Sequence, residues 1–344
     1  MKVLLYSQNQ KQMKKSGIGH ALSLQKTALE KNGIEVTFDP RDSYDLCHIN
    51  TLFYRSYRFM RTLQKKKIPV ITHAHSTKED FLNSFRFSNQ IAGWFNHNLL
   101  RMYRHATTII TPTLYSKRLI ENYGIQAPIY AVSNGIDLEK YLKETTSYTD
   151  QEEQQFYDFI GIRKDDPFII GMGFYFVRKG IVDFIEVARQ FPHIKFIWFG
   201  HRYKAITSSL VMRAIRNKPD NVILPGYIHM GYKKIAFAKA KAFFFPSYEE
   251  TEGIVTLEAL ASKLPLLVRD IGVYEGWLKK DVHCHMGRNN QEFVAEINKI
   301  LNEDQTSLIE NGYQVVLERD SAKIGAQLKA IYKKVLQEQK EITE

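Results

Sequence analysis

Short apolar runs alternate with stretches of helical periodicity along most of the chain. Their length and their content of Val, Ile and Phe are typical of parallel strands that are buried on both faces. Because such runs alternate with amphipathic stretches, the pattern predicts an α/β protein with two doubly wound, Rossmann-like units. The predicted strands cover residues 2–6, 35–38, 45–50, 68–76, 107–113, 168–173, 196–201, 222–227, 242–245 and 264–268.

The length of the chain, 344 residues, suits two domains better than a single core. Asn134-Gly135 is a strong turn signal, and polar residues of weak periodicity follow at 143–155. We therefore predict an N-terminal domain at 1–140, a C-terminal domain at 141–322 and a terminal helical segment at 323–344.

The net charge of +11 is concentrated in the first domain. Residues 1–140 contain 20 Lys and Arg against 10 Asp and Glu, whereas residues 141–344 contain 28 against 27. A basic half indicates an anionic partner, either a membrane surface or a nucleic acid. No run approaches the roughly 18 apolar residues of a spanning helix, so any membrane contact is expected to be peripheral.

Two helical segments of the first domain favour the membrane over nucleic acid. Arg55, Arg58 and Arg61 recur at helical spacing among aromatic residues, and a long helix predicted at 81–105 is rich in large apolar side chains. Cations and rings on one helix suit an anionic lipid surface. The aromatic residues lie among aliphatic ones and form no evident stacking platform, so we expect no nucleic-acid partner.

The cysteines and the first residues bear on the compartment. Cys47 and Cys284 are too few for a disulfide framework and fit a reducing environment. Residues 1–6 are predicted to form a strand, not a signal peptide. We expect a cytoplasmic protein that binds peripherally to the inner face of the cell membrane.

The segment 246–261 is the strongest candidate for a site. An apolar strand stops at Pro246, and a helical pattern begins after Gly253. Ligands bind beyond the carboxyl ends of parallel strands, where the next helix presents free N–H groups. Glu250 and Glu258 are eight residues apart and suit a polyhydroxylated ligand, because carboxylates accept several O–H bonds. The simpler alternative is that the acidic residues stabilise the helix dipole.

Other strand ends also carry candidate side chains. Arg178-Lys179 lies before a predicted helix, where two cations are typical of a phosphate site. His73 and His75 end another strand, and the sequence leaves open which of them faces a ligand. No set of residues has the pattern of a metal site, so no metal is expected.

These motifs resemble the retaining glycosyltransferases of family 4. Glu250 and Glu258 match the Glu-x7-Glu signature, Lys179-Gly180 matches the family's Lys-Gly, and His75 matches a motif His. Phe174 stands where an Arg is usual, with Arg178 as its potential replacement, and Glu252 stands in place of an aromatic residue. The resemblance implies the GT-B fold, two Rossmann-like doubly wound domains that face a central cleft, with the terminal helix crossing back to the first domain.

The family implies a role for each matched residue. The implied catalytic residues are His75, Arg178, Lys179 and Glu250. The implied donor-binding residues are Gly17, Gly19, Gly173, Arg178, Lys179, Gly226, Tyr227, Glu250, Gly253, Ile254, Val255 and Glu258. The resemblance also implies a UDP-hexose donor with no cofactor, retention of the anomeric configuration, and a same-face attack in which Glu258 is not a nucleophile.

Within the family, the start at 14–19 and the stretches 44–50 and 73–76 are most similar to bacterial diglycosyldiacylglycerol synthases. These enzymes imply glucose as the sugar, monoglucosyldiacylglycerol as the glycolipid acceptor and an α-linked diglycosyldiacylglycerol as the product. Galactose as the sugar, or a polysaccharide or teichoic-acid precursor as the acceptor, is an alternative with the same chemistry. A non-catalytic nucleotide-binding or nucleic-acid-binding module is an alternative from another class.

Overall fold

A computed structural model describes residues 1–8, 17–145 and 147–343, which form two compact units. Unit 1 contains Met1–Phe81, Ile91–Asp137 and Glu318–Glu344. Unit 2 contains Leu82–Gln90 and Leu138–Leu317. Lys14, Lys15 and Ser16, which begin the stretch 14–19 that contributes to the resemblance, lie outside the described residues.

Unit 1 is a parallel sheet with helices on both faces. The strand order is β2-β1-β3-β4-β5-β6, so the direction of winding reverses between β1 and β3. Its strands are β1 Lys2–Tyr6, β2 Glu35–Thr37, β3 Leu46–Ile49, β4 Val70–His73, β5 Thr108–Thr111 and β6 Ile129–Ala131. Its helices are α1 Gly17–Lys31, α2 Tyr54–Lys65, α3 Lys78–Phe81, α4 Ala92–Arg104, α5 Leu114–Asn122 and, near the carboxyl terminus, α14 Ser321–Thr343.

Alternation along the strands of unit 1 divides its core into two layers. Val3 and Leu5 face one cluster, which includes residues of α1 and α14. Leu4 faces the other, which includes residues of α2 and α4. Because successive side chains point to opposite faces, a strand buried on both sides is apolar throughout, as the first run predicted.

Helix α14 packs closely against α1. A Cβ at Gly325 would lie 1.9 Å from the carbonyl oxygen of Ala28, so only glycine allows this approach. The Asn32 side-chain amide donates to the carbonyls of Ala28 and Ala322 at 2.9 Å each, which ties the two helices together.

Unit 2 repeats the architecture of unit 1. The strand order is β12-β11-β10-β7-β8-β9, and the winding reverses between β7 and β10. Its strands are β7 Phe168–Met172, β8 Lys195–Phe199, β9 Val222–Gly226, β10 Ala242–Phe245, β11 Leu266–Arg269 and β12 His285–Gly287. Its helices are α6 Leu138–Thr145, α7 Asp150–Ile160, α8 Ile181–Ala188, α9 Ser209–Arg216, α10 Met230–Lys239, α11 Ile254–Ala261, α12 Asn290–Asn302 and α13 Thr306–Leu317.

The polar stretch predicted as an irregular passage between domains is largely helical. The structure has α6 and α7 there, and Thr149 and Glu152 form a capping box in which each side chain accepts from the other's backbone N–H. Gly161, with φ of 69°, ends α7 in the left-handed conformation. Capping therefore outweighed the weak periodicity on which the prediction relied.

The long helix predicted at 81–105 is interrupted, and Leu82–Gln90 belongs to unit 2 instead of the first domain. Asn83 and Phe87 have positive φ values of 55° and 68°, which a helix cannot continue through. The side chains of Asn83 and Asn89 also pair at 2.9 Å, and such local hydrogen bonds compete with helix formation.

Of the helices that the structure describes, none combines the length and the hydrophobicity that a bilayer-spanning helix requires.

Candidate active site

The site in unit 2 lies at the carboxyl edge of its sheet, where the winding reverses. The backbone N–H of Gly173 donates to Phe199 at 2.9 Å, and that of Gly200 donates to Gly226 at 2.8 Å. A Cβ at Gly200 would lie 1.8 Å from the Gly173 carbonyl oxygen, so the chains following β7 and β8 approach closely. Glycine therefore allows the strand ends to pack closely at this edge, which is where open parallel sheets bind ligands.

Glu250 is the centre of a buried charged cluster. Its side chain is 7% exposed, and Oε1 contacts Lys179 Nζ and lies 3.8 Å from Arg178 Nη1. Ser247 Oγ donates to the same oxygen at 2.7 Å. Burial by itself would raise the pKa of Glu250, but the two cations and the hydrogen bonds outweigh it and hold the pKa below its usual value.

Arg178 braces the loop that carries Glu250. Its Nη1 donates to the Glu249 carbonyl at 2.6 Å, and its Nε donates to Ser84 Oγ at 2.9 Å. The Arg178 carbonyl accepts from Tyr248 N at 2.7 Å and from Ser247 Oγ at 3.1 Å. The side chain is 10% exposed, so Arg178 positions this loop in addition to supplying charge.

Glycines on both sides of Lys179 allow the cluster to close. The Lys179 stem packs 3.4 Å from the position of a Cβ on Gly173. Gly180 has φ of 75°, and a Cβ there would lie 2.2 Å from the Pro246 carbonyl oxygen. Replacement of Gly180 would therefore push the Pro246–Glu250 loop away from Lys179.

Helix α11 begins at this loop. Gly253, with φ of 78°, is its N-cap, and the N–H groups of Ile254 and Val255 lie in the first turn, where no intrahelical acceptor exists. Glu258, one turn later, is 1% exposed and pairs with Lys233 of α10 at 2.6 Å. Each Glu of the predicted pair thus has its own Lys partner.

The remaining predicted residues of unit 2 lie near the same edge. Gly226 has φ of 94°, and Tyr227 beside it is 55% exposed, so its ring is accessible to a ligand. Phe174, in place of the family's Arg, packs against Phe176 and Tyr203 at 5.4 and 5.7 Å between ring centroids. Glu252 is 1% exposed.

In unit 1, His75 is the outer member of a histidine stack. The rings of His75 and His73 are 4.0 Å apart, and those of His73 and His48 are 5.2 Å apart. His75 Nε2 lies 2.8 Å from Asn50 Oδ1. His73 is 4% exposed and His75 is half-buried, so the structure makes His75 the more accessible of the two.

Burial keeps the stack uncharged. It lowers the pKa of His48 and of His75 to about 3, and the pKa of His73 well below its usual value. Among the described residues, Gln25, Asn50 and Tyr332 supply the neutral partners of the rings.

Gly17 and Gly19 lie in the first turn of α1, not in a turn before it. The two glycines predicted a turn followed by a helix from about residue 21, whereas the helix begins at Gly17, four residues earlier. A Cβ at Gly17 would meet no heavy atom within 4 Å. Glycine only weakly disfavours the first turn of a helix. The two glycines therefore did not prevent the helix from starting earlier than predicted.

Several contacts of the candidate site were missed from the sequence. Ser247 and Ser84 hold Glu250 and Arg178, and Trp198 Nε1 donates to the Gly173 carbonyl at 2.9 Å. Ser247 lies within the segment 246–261, already the strongest candidate for a site, and could have been found there. Ser84 had no signal, because its partner lies 94 residues away.

Comparison with protein families finds two matches that together span most of the chain. Residues 27–140 match Glycosyltransferase Family 4, and residues 152–315 match Glycosyl transferases group 1. The chain is also 49% identical to the processive diacylglycerol alpha-glucosyltransferase of Acholeplasma laidlawii, over 98% of this chain and 99% of that protein. The chain belongs to glycosyltransferase family 4.

A more distant relative has a related name. The alpha-galactosylglucosyldiacylglycerol synthase of Streptococcus pneumoniae is 24% identical over 72% of this chain and 66% of its own length.

Solved structures agree with this assignment at the level of the fold. HepE of Anabaena, in complex with UDP and glucose, has a TM-score of 0.75 at 17% identity and covers 97% of this chain and 100% of its own. Sucrose-phosphate synthase of Thermosynechococcus elongatus has a TM-score of 0.76 at 16% identity, and the match covers 97% of this chain and 99% of that protein. This family 4 glycosyltransferase therefore has the predicted GT-B fold, and it is a hexosyltransferase.

One group of described residues in this glycosyltransferase has the side chains of a cation site, Asp281, His285 and Glu296. Both ring nitrogens of His285 are engaged, with Glu296 and with Gln305, at 2.7 Å each. Lys299 lies 3.0 Å from Glu296. These contacts account for the group as a structural network, so the donor set does not fit a metal.

Proposed function

We propose that this enzyme transfers glucose from UDP-glucose to a diacylglycerol-linked acceptor and forms an α-linked glycolipid, with monoglucosyldiacylglycerol as the acceptor and diglycosyldiacylglycerol as the product. The observation that carries the proposal is the 49% identity, over 98% of the chain, to a processive diacylglycerol alpha-glucosyltransferase. The name of that relative also favours diacylglycerol itself as a first acceptor. The streptococcal relative favours galactose as the alternative sugar.

The charged cluster of unit 2 suits the donor half of the reaction. Departure of UDP leaves negative charge on a diphosphate, which Lys179 and the first-turn N–H groups of α11 can stabilise. The lowered pKa of Glu250 keeps its carboxylate ionised at neutral pH, so it can accept hydrogen bonds from sugar hydroxyls and oppose positive charge at the anomeric carbon. No cofactor is needed for this chemistry.

In this proposal, the anomeric configuration is retained because the acceptor hydroxyl attacks the anomeric carbon on the same face from which the diphosphate leaves. The departing phosphate oxygen then takes the proton of the acceptor hydroxyl. Glu258 has no part in that step as a nucleophile, because its carboxylate is 2% exposed and paired with Lys233. His75 of unit 1 contributes, in this proposal, beside the acceptor hydroxyl.

The acceptor lipid requires contact with a membrane, and unit 1 has a suitable surface. Arg55, Arg58 and Arg61 of α2 are exposed, as is the aromatic ring of Tyr54 at 59%. Trp94 of α4 is 70% exposed. Basic residues around exposed rings favour an anionic bilayer, which supports a peripheral location at the inner face of the membrane.

Helices α2 and α4 contribute to one continuous surface. The Arg101 guanidinium of α4 lies 5.5 Å from the ring of Tyr54 and 4.7 Å from the ring of Tyr57. Trp94 precedes Arg101 by seven residues and therefore shares its helix face. We call the exposed residues Tyr54, Arg55, Arg58, Arg61 and Trp94 the α2–α4 surface.

Fluorescence of Trp94 tests the membrane contact. The other two tryptophans, Trp198 and Trp277, are 0% and 9% exposed, so only Trp94 should respond to a lipid surface. We expect a blue shift with vesicles that contain anionic lipid, which Trp94→Phe abolishes and salt weakens. Unchanged emission with every vesicle would remove the α2–α4 surface from the proposal.

Product analysis tests the reaction. Radiolabelled UDP-glucose and UDP-galactose are supplied separately, with diacylglycerol or monoglucosyldiacylglycerol in anionic mixed micelles. We expect labelled diglycosyldiacylglycerol from UDP-glucose, and its loss in Glu250→Ala. Glu153→Gln is the control, because Glu153 of α7 is a buried carboxylate that pairs with Lys164 and Lys239 and is not among the candidate site residues.

The possible outcomes separate the alternatives. Release of UDP without a labelled lipid would keep the glycosyltransferase and reject the lipid acceptor. If labelled lipid forms only with UDP-galactose, the proposed donor sugar changes from glucose to galactose. If the folded protein neither releases UDP nor forms a lipid product, the proposed function is contradicted.

A further inference from the structure

A chain of buried hydrogen bonds runs from His75 through the interior of unit 1. His75 Nε2 is 2.8 Å from Asn50 Oδ1, and Asn50 Nδ2 donates to Gln25 Oε1 at 3.0 Å. Gln25 Nε2 donates to His48 Nδ1 at 2.8 Å, and Tyr332 OH lies 2.6 Å from the same nitrogen. The four residues behind His75 are between 0% and 5% exposed.

The two amides in this chain could point in either direction, but they must point together. If Asn50 presents its oxygen to His75, its NH₂ group faces Gln25 Oε1, and the Gln25 NH₂ group then faces His48. If Asn50 were turned round, every donor in the chain would reverse. The tautomer of His75 is therefore coupled to the orientation of the Asn50 amide.

A backbone carbonyl determines that orientation. Asn50 Nδ2 lies 3.4 Å from the carbonyl oxygen of His48, where the NH₂ group is attracted. A turned amide would place Oδ1 against that carbonyl, and two acceptors would repel each other. With Asn50 held in this way, Oδ1 can only accept, so His75 must carry its proton on Nε2.

We propose that Asn50 is a positioning residue that holds His75 as the neutral tautomer protonated on Nε2, with Gln25, His48 and Tyr332 keeping the Asn50 amide in its orientation. The relevance to catalysis rests on the proposed function, in which His75 lies beside the acceptor hydroxyl. The partners come from α1, β3 and α14, so the arrangement depends on the tertiary fold of unit 1.

The surroundings of His75 agree with a neutral ring. The titratable groups in its stack are His73 and His48, and the pKa of each of the three rings is lowered by burial. Tyr332, at the far end of the chain, has its pKa raised by burial and so remains a hydroxyl. A neutral ring has one protonated nitrogen, and a fixed hydrogen-bond acceptor at Nε2 selects that nitrogen.

The test is a ¹⁵N–¹H long-range correlation spectrum of the full-length protein labelled in histidine, with the His75 signals assigned by their loss in His75→Gln. We expect the Nε2–H pattern for His75 in the unchanged protein. In Asn50→Leu we expect a mixture of tautomers and a decrease in kcat on the order of tenfold, with the KM for UDP-glucose nearly unchanged.

Asn50→Asp provides the conservative comparison. Its carboxylate still accepts from Nε2–H, so the tautomer is retained, while its negative charge raises the pKa of His75. We therefore expect the pH–rate profile to gain an acid limb that neither the unchanged protein nor Asn50→Leu displays. Thr51→Val is the control, because Thr51 bonds Ser56 at 2.8 Å and is 2% exposed, but its hydroxyl is not part of the chain.

Three results would overturn the proposal: an Nδ1–H pattern for His75, an unchanged spectrum in Asn50→Leu, or the same spectral change in Thr51→Val. The spectra do not depend on activity. If the tautomer behaves as expected but no lipid product forms with any acceptor, the positioning stands and the proposed function fails.

Discussion

The two buried polar clusters of this glycosyltransferase differ in charge. In unit 2, Glu250 is paired with Lys179 and Arg178, and its pKa is held below the usual value. In unit 1, His75 and its partners are neutral, and burial lowers the pKa of His75 to about 3. A buried ionic cluster requires its counter-charges, because desolvation is costly, whereas a neutral cluster requires only satisfied hydrogen bonds.

The difference suits the two halves of the proposed reaction. A leaving diphosphate carries charge and needs fixed cations close to it. A sugar or lipid hydroxyl is neutral and needs an oriented donor or acceptor. Substitutions in the ionic cluster should therefore cause large losses of stability and of sugar transfer. Substitutions in the neutral cluster should cause smaller losses that depend on hydrogen-bond geometry and pH.

The largest effect is expected for Glu250→Ala. Removal of the carboxylate leaves Lys179 and Arg178 buried without their counter-charge, so we expect the free energy of unfolding to fall by about 3 kcal/mol. Transfer should fall on the order of 10³-fold. Urea unfolding and product formation measure the two quantities, with Glu153→Gln as the control. A variant of unchanged stability would mean that the ion pairs contribute little.

Arg178→Lys should have the next largest effect. Lysine retains the charge but cannot donate to both Ser84 Oγ and the Glu249 carbonyl, which the Arg178 fork does. We expect the rate of sugar transfer to fall about 100-fold, because Glu250 would be displaced, and we expect a smaller loss of UDP affinity. Steady-state kinetics with UDP-glucose test this. Full activity would show that charge alone suffices at this position.

The pH dependence of stability should separate the clusters. The pKa of His48 is about 3 in the folded protein and 6.5 in a free side chain, so its contribution is complete above pH 6.5 and is lost as the pH falls. The contribution of Glu250, whose folded pKa is also lowered, is lost only as the pH falls below about 4.5.

Between pH 4.5 and 6.5, the loss should therefore come from the histidines and not from Glu250. Each buried histidine should contribute a slope of about 1.4 kcal/mol per pH unit over most of that range. His48→Gln should reduce the slope by about the contribution of one histidine, about 1.4 kcal/mol per pH unit. Urea unfolding at several pH values gives the slopes, and equal slopes in the variant and the unchanged protein would contradict the neutral cluster.

The smallest effect is expected for Tyr332→Phe. It removes the hydroxyl that meets His48 Nδ1 and leaves the ring packed, so we expect a loss of about 1 kcal/mol in stability. Activity should decrease severalfold at most, because Gln25 still contacts the same nitrogen. A loss of transfer as large as that of Glu250→Ala would give α14 a direct catalytic role.

The ionic cluster was the more predictable of the two. Arg178, Lys179 and Glu250 each follow a strand of the same sheet, and parallel strands bring their carboxyl ends together. The strands themselves were predictable from their apolar runs.

The neutral cluster could be predicted only in part. His73 and His75 were found at the end of a strand, but their supporting partners lie on other elements, and Tyr332 is 284 residues from His48. No local pattern signals such a pairing. The interrupted helix at 81–105 was missed for a related reason, since the asparagine pair and the left-handed residues that end it depend on the folded loop.

The central claim is that the ionic cluster of unit 2 holds the donor and the neutral cluster of unit 1 serves the acceptor. The most direct test is calorimetric binding of UDP to Lys179→Met and His75→Gln, with lipid product measured on the same samples. The account predicts that Lys179→Met loses both UDP binding and product. It predicts that His75→Gln binds UDP as the unchanged protein does and that only its rate of product formation falls. Normal UDP binding by Lys179→Met, or its loss in His75→Gln, would contradict the division.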